Sequence, residues 1–219
     1  VSARRSRSDP PHEVRAIRAR ITQALDTLDG EGRRVGDAKH GVYLFYDYDR
    51  EPIYVGRTYE KLRTRIRRHL TNQRTDAAAM SVLDPFEVAE IEMWPLWELE
   101  TAPHQKALSQ LINLEYSVYQ RALRDSVFAA LLNEQDIPSA HAIELPESYR
   151  ISIVPKEIRR LRSHPDIRIA RRASTIANLA RIISERSPSP GLRRTLVVQA
   201  QRLEWLARQR YTSLTGQKT

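Results

Sequence analysis

Residues 41–69, GVYLFYDYDREPIYVGRTYEKLRTRIRRH, constrain this chain more than any other stretch. Two short runs rich in Val, Ile, Tyr and Phe flank the charged, turn-forming residues 47–52, a pattern that predicts a β-hairpin with strands near 42–46 and 53–55. Pro52 suits the first position of the second strand, where a missing amide hydrogen matters least. Gly41 and Gly56 suit either a turn or a close backbone approach. After Gly56 the pattern turns helical and basic over residues 59–70, with Leu62, Ile66 and Leu70 inward and Arg63, Arg67 and Arg68 toward solvent. Arg65 and His69 stand one turn apart beside that stripe. Hydroxyl, guanidinium and imidazole groups gathered this way suit chemistry on a phosphate ester, and such a site lacks only a carboxylate.

The carboxylate candidate lies on a later helix. Residues 105–124 carry Leu108, Leu111, Ile112, Leu114, Val118, Tyr119 and Leu123 as a broad apolar surface, and Glu115 points with it. An ionised carboxylate there is costly unless it is paired or holds a metal, so a metal ion and an arginine partner both remain open. Between the two helices, residues 71–81 are polar and Ala-rich, of no clear element, and are expected to be mobile near a ligand. Residues 86–94, FEVAEIEMW, predict a third strand. Upstream, a Ser, Arg and Pro arm over 1–11 precedes an amphipathic helix over 12–28 with Val14, Ile17, Ile21, Leu25 and Leu28 inward.

Beyond Asn133 the pattern changes. Residues 134–154 read as irregular or as including a short strand at 150–154. Three helices follow: one after Pro155 with Ile158 and Leu161, one over 167–184 and one over 192–211, the last two separated by SPSPG at 187–191. The second turns Ile169, Ala173, Ile176, Leu179, Ala180 and Ile183 inward and leaves Arg168, Arg171, Arg172 and Arg181 outside or at the edge. The third turns Leu196, Gln199, Leu203, Leu206 and Tyr211 to one side.

Charge separates these regions. Residues 1–135 hold 20 basic and 20 acidic side chains, whereas residues 136–219 hold 16 and 7 and so carry the whole net charge of +9. A second local excess, Arg57, Lys61, Arg63, Arg65, Arg67 and Arg68 against Glu60, sits in the opening stretch. Such surfaces attract a polyanion, and they equally suit a solvated face. The absence of cysteine excludes disulfides, thiolate metal sites and cysteine nucleophiles, and it suits a cytoplasmic location. No apolar run approaches the roughly 20 residues of a membrane span.

Gly41-Val42-Tyr43 and Tyr54-Val55-Gly56 resemble the two signature triplets of the GIY-YIG nucleases, with Val in place of Ile in each. Arg65 and His69 match the Arg-x-x-x-His helix that follows, Glu115 the metal-binding glutamate and Asn133 the asparagine after it. The resemblance covers residues 40–135. It implies an α+β fold, a small core with a three-stranded, mainly antiparallel sheet flanked by helices. Residues 1–39 then form an arm and helix, and residues 136–219 a basic helical extension for DNA binding or dimerisation. The Arg-x-x-x-His spacing resembles the restriction-enzyme branch, of which Eco29kI is a member.

The resemblance assigns roles. Glu115 would hold one divalent ion, Mg2+ with Mn2+ as a substitute, and Asp47 and Asp49 remain as further carboxylates. Tyr43 would activate or orient water, helped by His69 as proton relay. Arg65 would hold the phosphate, Tyr54 would position water or phosphate, and Asn133 would tie the site together. Arg57, Lys61, Arg63, Arg67 and Arg68 would contact DNA. Tyr59, Trp94 and Trp97 read as packing residues. The activity implied is a type II restriction endonuclease on double-stranded DNA, a homodimer or larger assembly off the membrane, with a protective DNA methyltransferase in its host. A repair-type or toxin nuclease and a DNA-binding module that does not cut are the alternatives.

Overall fold

A computed structural model describes residues 11–71, 82–185 and 189–216. The expected arm (but for residue 11), residues 72–81 of the Ala-rich stretch, the first two residues of SPSPG and residues 217–219 lie outside them. The described elements are α1 (His12–Leu25), β1 (Gly41–Tyr46), β2 (Pro52–Thr58), α2 (Leu62–Leu70), β3 (Glu90–Pro95), α3 (His104–Asp125), β4 (Tyr149–Ser152), α4 (Lys156–Arg162), α5 (Pro165–Glu185) and α6 (Pro190–Thr215). The fold is α+β, and the described residues form six named helices around one antiparallel sheet in the order β2-β1-β3-β4. The sheet has four strands where three were expected, because residues 149–152 pair with β3 from Glu90↔Ser152 to Met93↔Tyr149.

β1 alternates its side chains between two cores, and all six of its residues are buried. Val42, Leu44 and Tyr46, with Val55 and Trp94, face Ala107, Leu111, Leu114 and Val118 of α3. Tyr43 and Phe45, with Ile53, Ile91 and Met93, face Leu62 and Ile66 of α2, residues of α1, and Leu179, Ile182, Leu192 and Val198 of α5 and α6. Helices on both faces explain why the central strand is apolar throughout instead of alternating.

Several boundaries differ from the sequence expectation for local reasons. α1 stops at Leu25 and leaves Leu28 57% exposed, since Asp29 gathers the amides of Glu31 and Arg33 into a turn. β3 begins at Glu90, not at residue 86: Asp84 accepts from the Phe86 amide and Pro85 opens a short 3-10 turn over Pro85–Glu87. α6 starts on a Ser189 cap followed by Pro190 and ends at Gly216 with φ 69°, extending past the expected 211. Leu161 and Tyr211 are exposed, not inward.

The largest departure lies inside α5 and α6. Arg168 and Arg172, expected outside or at the edge, are 2% and 4% exposed, and Arg202 of α6 is 1% exposed. The inner line of α5 runs Arg168, Arg172, Leu179 and Ile182, and Ala173 and Ala180 face solvent. One oxygen of Asp47 in the β1–β2 turn accepts from Arg168 at 3.2 Å, Arg172 at 2.9 Å and Arg202 at 3.1 Å. Arg168 also reaches Asp49 at 2.7 Å, and Arg168 and Arg172 both reach Glu87 at 3.2 Å. Burial pushes the Glu87 carboxyl up and the Arg202 guanidinium down, the mark of charges held far from water. Part of the positive excess of residues 136–219 is therefore interior, neutralised by acids of the β1–β2 turn and of the segment before β3.

Candidate active site

β2 is an edge strand, and a cleft of about 760 Å³ runs beside it. Tyr54 and Arg57 of β2, Arg65 of α2, Glu115 of α3 and Asn133 all line this cleft. Strand alternation sorts them. Tyr54 pairs with Phe45 and Gly56 with Tyr43, on the α2 side, whereas Arg57 pairs with Val42, on the α3 side. The edge strand thus brings the contributions of both faces to one opening.

On the α2 side, the Tyr43 hydroxyl lies 2.8 Å from His69 Nε2, and both residues are buried. The His69 ring packs against Tyr54 with centroids 5.1 Å apart and against Phe45 at 5.9 Å. Arg65 and His69, four residues apart on α2, both reach toward Tyr43. Burial works against the Arg65 charge, but the Tyr43 hydroxyl, which it hydrogen-bonds, and the nearby Tyr54 and Glu60 more than restore it. The Arg65 Nε is buried with no hydrogen-bond acceptor among the described residues, and Arg65 opens on the cleft. A guanidinium that opens on a cleft suits an anionic partner there.

The two signature glycines have steric reasons. A Cβ at Gly41 would fall 2.7 Å from the Trp94 carbonyl oxygen, and one at Gly56 would fall 2.6 Å from Tyr43 Cζ. Close approach, not a turn, accounts for both.

On the α3 side, Glu115 is 7% exposed and pairs with the Arg57 guanidinium. Burial pushes its carboxyl above the ordinary range, while Arg57 and Arg65 pull it back. The arginine partner left open by the sequence is therefore present. Asn133 crosses the edge of the sheet: its Oδ1 accepts from the Val55 amide at 3.1 Å, and its Nδ2 donates to the Val55 carbonyl at 2.7 Å. Together with the Leu132 amide on the Ile53 carbonyl at 2.8 Å, it completes the outer side of β2 as a partner strand would.

The remaining basic candidates sit elsewhere. Lys61, Arg63, Arg67 and Arg68 are not among the cleft-lining residues. Lys61 and Arg63 meet Asp37, Arg63 also meets Asp26 at 2.8 Å, Arg67 bonds Thr22 of α1, and Arg68 meets Glu60. The Arg63 side chain is 18% exposed and less open to solvent than its helical position implied. Tyr59 is 44% exposed and lines the cleft, whereas Trp94 is fully buried. Asp47 and Asp49 belong to the interior arginine cluster, away from the cleft-lining residues.

Sequence reasoning missed the outer wall, residues 134–138, and the residue that holds it. Arg194 of α6 donates to the carbonyls of Asn133 and Glu134 and pairs with Asp136 at 2.5 Å. These partners are about 60 residues apart in sequence, and no local pattern signals them.

Residues 39–118 match the GIY-YIG catalytic domain. The match takes in both triplets, Arg65, His69 and Glu115 and ends before Asn133. Searches of curated proteins and of solved structures found no match. A GIY-YIG domain implies a nuclease, a hydrolase with DNA as substrate, and nucleases of this kind generally use divalent metal ions. Glu115 fits that need, since it is a hard oxygen donor in a cleft where a phosphate oxygen and waters would supply the other ligands. Among the described residues no group of three His, Asp or Glu side chains gathers to bind a metal without such help. No helix among them is long and apolar enough to cross a membrane.

Proposed function

We propose that this chain is a site-specific endonuclease of the type II restriction class, hydrolysing phosphodiester bonds of double-stranded DNA with Mg2+ or Mn2+. The observation that carries the hydrolytic reading is the buried Tyr43–His69 hydrogen bond of 2.8 Å, which lies behind the cleft wall and not among its lining residues, next to Arg65, which lines the cleft with Tyr54 and Glu115. The Arg65-x-x-x-His69 spacing supports the restriction branch, related to Eco29kI.

Hydrolysis breaks one P–O bond and forms another to water, so a proton must leave the water and the leaving oxygen must be neutralised. Tyr43 orients or deprotonates the water. Its phenol is a weak base at neutral pH, and His69 Nε2 relays the proton away from the hydroxyl. Arg65 holds a non-bridging phosphate oxygen through the guanidinium that it brings to the cleft. Tyr54 lines the same wall and positions phosphate or water. Glu115 would hold the divalent ion, which supplies Lewis-acid stabilisation of phosphate charge. Asn133 keeps β2 and its catalytic neighbours in place, and Arg57, with Lys61, Arg63, Arg67 and Arg68 farther out, would contact the DNA backbone.

One such site cuts one strand, so cleavage of both strands at a symmetric target calls for a homodimer or larger assembly. A cytoplasmic enzyme of this kind also requires a DNA methyltransferase that protects host DNA. The residues 136–219 would then serve specificity or dimerisation through the exposed faces of α5 and α6.

The test is incubation of the purified protein, beside Glu115→Gln, with unmethylated plasmid DNA and Mg2+, the products resolved on a gel. Discrete fragments from the wild type alone support the restriction reading. A smear, or cutting confined to flaps and single strands, assigns a repair-type or toxin nuclease instead. Salt-sensitive binding with no cutting of several unrelated DNAs assigns a binding module.

A further inference from the structure

Among the described residues Arg57 has one acidic partner, and that partner is the carboxylate proposed to hold the metal. The Glu115 side chain is 9% exposed and the Arg57 side chain 29%, so the acid is sheltered and the guanidinium remains open to the cleft. Burial makes the Glu115 charge costly and Arg57 is the strongest opposing influence. Arg57 also follows Gly56 directly on the edge strand, where its long side chain has cleft on one side and α3 on the other. The other cleft cation, Arg65, is engaged by Tyr43 and stands half-buried on α2. The two cations therefore differ in kind: Arg65 is tied to a neutral hydroxyl, and among the described residues the Arg57 side chain is held by the Glu115 carboxylate alone.

A guanidinium and a divalent ion cannot both take the same sheltered carboxylate at full strength, because the two positive charges repel each other where water is scarce. A phosphodiester offers the guanidinium an alternative partner of matching fork geometry. We propose that Arg57 is an exchange residue, holding Glu115 while the cleft is empty and moving to the DNA phosphate when substrate arrives, so that phosphate binding frees Glu115 for the metal. Phosphate and metal then bind with positive, reciprocal coupling. The inference rests on the reading of Glu115 as the metal ligand.

Two binding measurements without turnover test it, on wild type, Arg57→Gln, Arg57→Lys, Glu115→Gln and the Arg57→Gln/Glu115→Gln double variant, each checked for folding by thermal melting. In the first, Mn2+ is titrated without DNA and free ion is followed by electron paramagnetic resonance. Arg57→Gln binds Mn2+ more tightly than wild type, by roughly 5- to 100-fold, the usual range of such coupling. Arg57→Lys, which keeps the charge, stays near wild type, and Glu115→Gln binds weakly. In the second, a fluorescent duplex is titrated in EDTA at low salt. Glu115→Gln binds it more tightly than wild type, and the gain disappears in the double variant because it acts through Arg57.

Tightened Mn2+ binding in Arg57→Gln together with a duplex gain that depends on Arg57 supports the exchange. Arg57→Gln binding Mn2+ no better than wild type, with Glu115→Gln still defective, overturns the exchange and leaves Glu115 as ligand. Arg57→Lys matching Arg57→Gln also overturns it, since charge would not be the cause. Wild-type Mn2+ affinity in Glu115→Gln removes the ligand reading itself and the inference with it.

Discussion

Gly56 and Tyr43 share one space: a Cβ at position 56 would fall 2.6 Å from Tyr43 Cζ, and the ring already packs against the bare backbone there. Gly56→Ala therefore moves the tyrosine or the edge strand. Overpacking of this kind costs about 1–3 kcal/mol. A shift of ~1 Å in a reacting group costs on the order of 100-fold in rate. Urea unfolding at a modest loss, with DNA cleavage falling about 100-fold, is the expected pair of results, and a fully active Gly56→Ala would show that the Tyr43 position does not matter.

The Tyr43 hydroxyl and His69 Nε2 lie 2.8 Å apart, and the proposed mechanism has the two residues handle one proton. Tyr43→Phe is expected to slow single-turnover cleavage by roughly 100- to 10,000-fold. His69→Gln added to Tyr43→Phe should then cost little more, because the relay has nothing left to serve. Equal, multiplying losses in the double variant would mean that the two act independently.

Asp47 faces three buried guanidiniums. Asp47→Ala leaves them short of a counter-charge, and removing one partner of such a buried set costs about 3–5 kcal/mol. The same contacts predict that residues 40–135 expressed alone fail to fold cooperatively, since Asp47, Glu51 and Glu87 would lose Arg168, Arg172 and Arg202 together. Circular dichroism and a urea transition of the fragment decide this. A cooperative native fragment would show that the core does not need α5 and α6.

Glu92 sets an acid limit on stability. Burial works to raise its pKa, but the Arg121 pair and the Tyr46 and Ser148 hydroxyls outweigh it and hold the group below its ordinary value of 4.5. The folded protein thus gives up the Glu92 proton more readily than the unfolded chain. The resulting stabilisation is complete above about pH 4.5 and disappears as pH falls through the lower folded value. Glu92→Gln should be less stable than wild type at pH 7, and the gap should narrow toward pH 3 in urea titrations. A gap that is constant with pH would assign its cost to packing instead.

The hairpin of β1 and β2, α2 with Arg65 and His69 on one side, and α3 with Glu115 turned inward were legible because each depends on residues within a few turns or one hairpin. Periodicity reports those directly. The start of β3 was misjudged at Phe86 because Asp84 and Pro85 favour a turn that outweighs the apolar pattern. β4 was visible only as a short possible strand, for pairing with β3 across more than 50 residues is what makes it one.

What the sequence determined by itself was the set of chemical groups and their local order: two tyrosines beside glycines, an Arg and a His one turn apart, a glutamate on an apolar helix face. Tertiary structure alone decided which charges those groups meet. Arg168, Arg172 and Arg202 carry the same side chain as the exposed arginines of α5 and α6, and local hydropathy assigns all of them to solvent. They are interior because Asp47 and Glu87, more than 80 residues away, supply the negative charge that makes burying a guanidinium tolerable. Arg57 reached Glu115 and Asn133 reached Val55 for the same reason: a buried charge or an open strand edge takes its partner from space, whatever the distance along the chain.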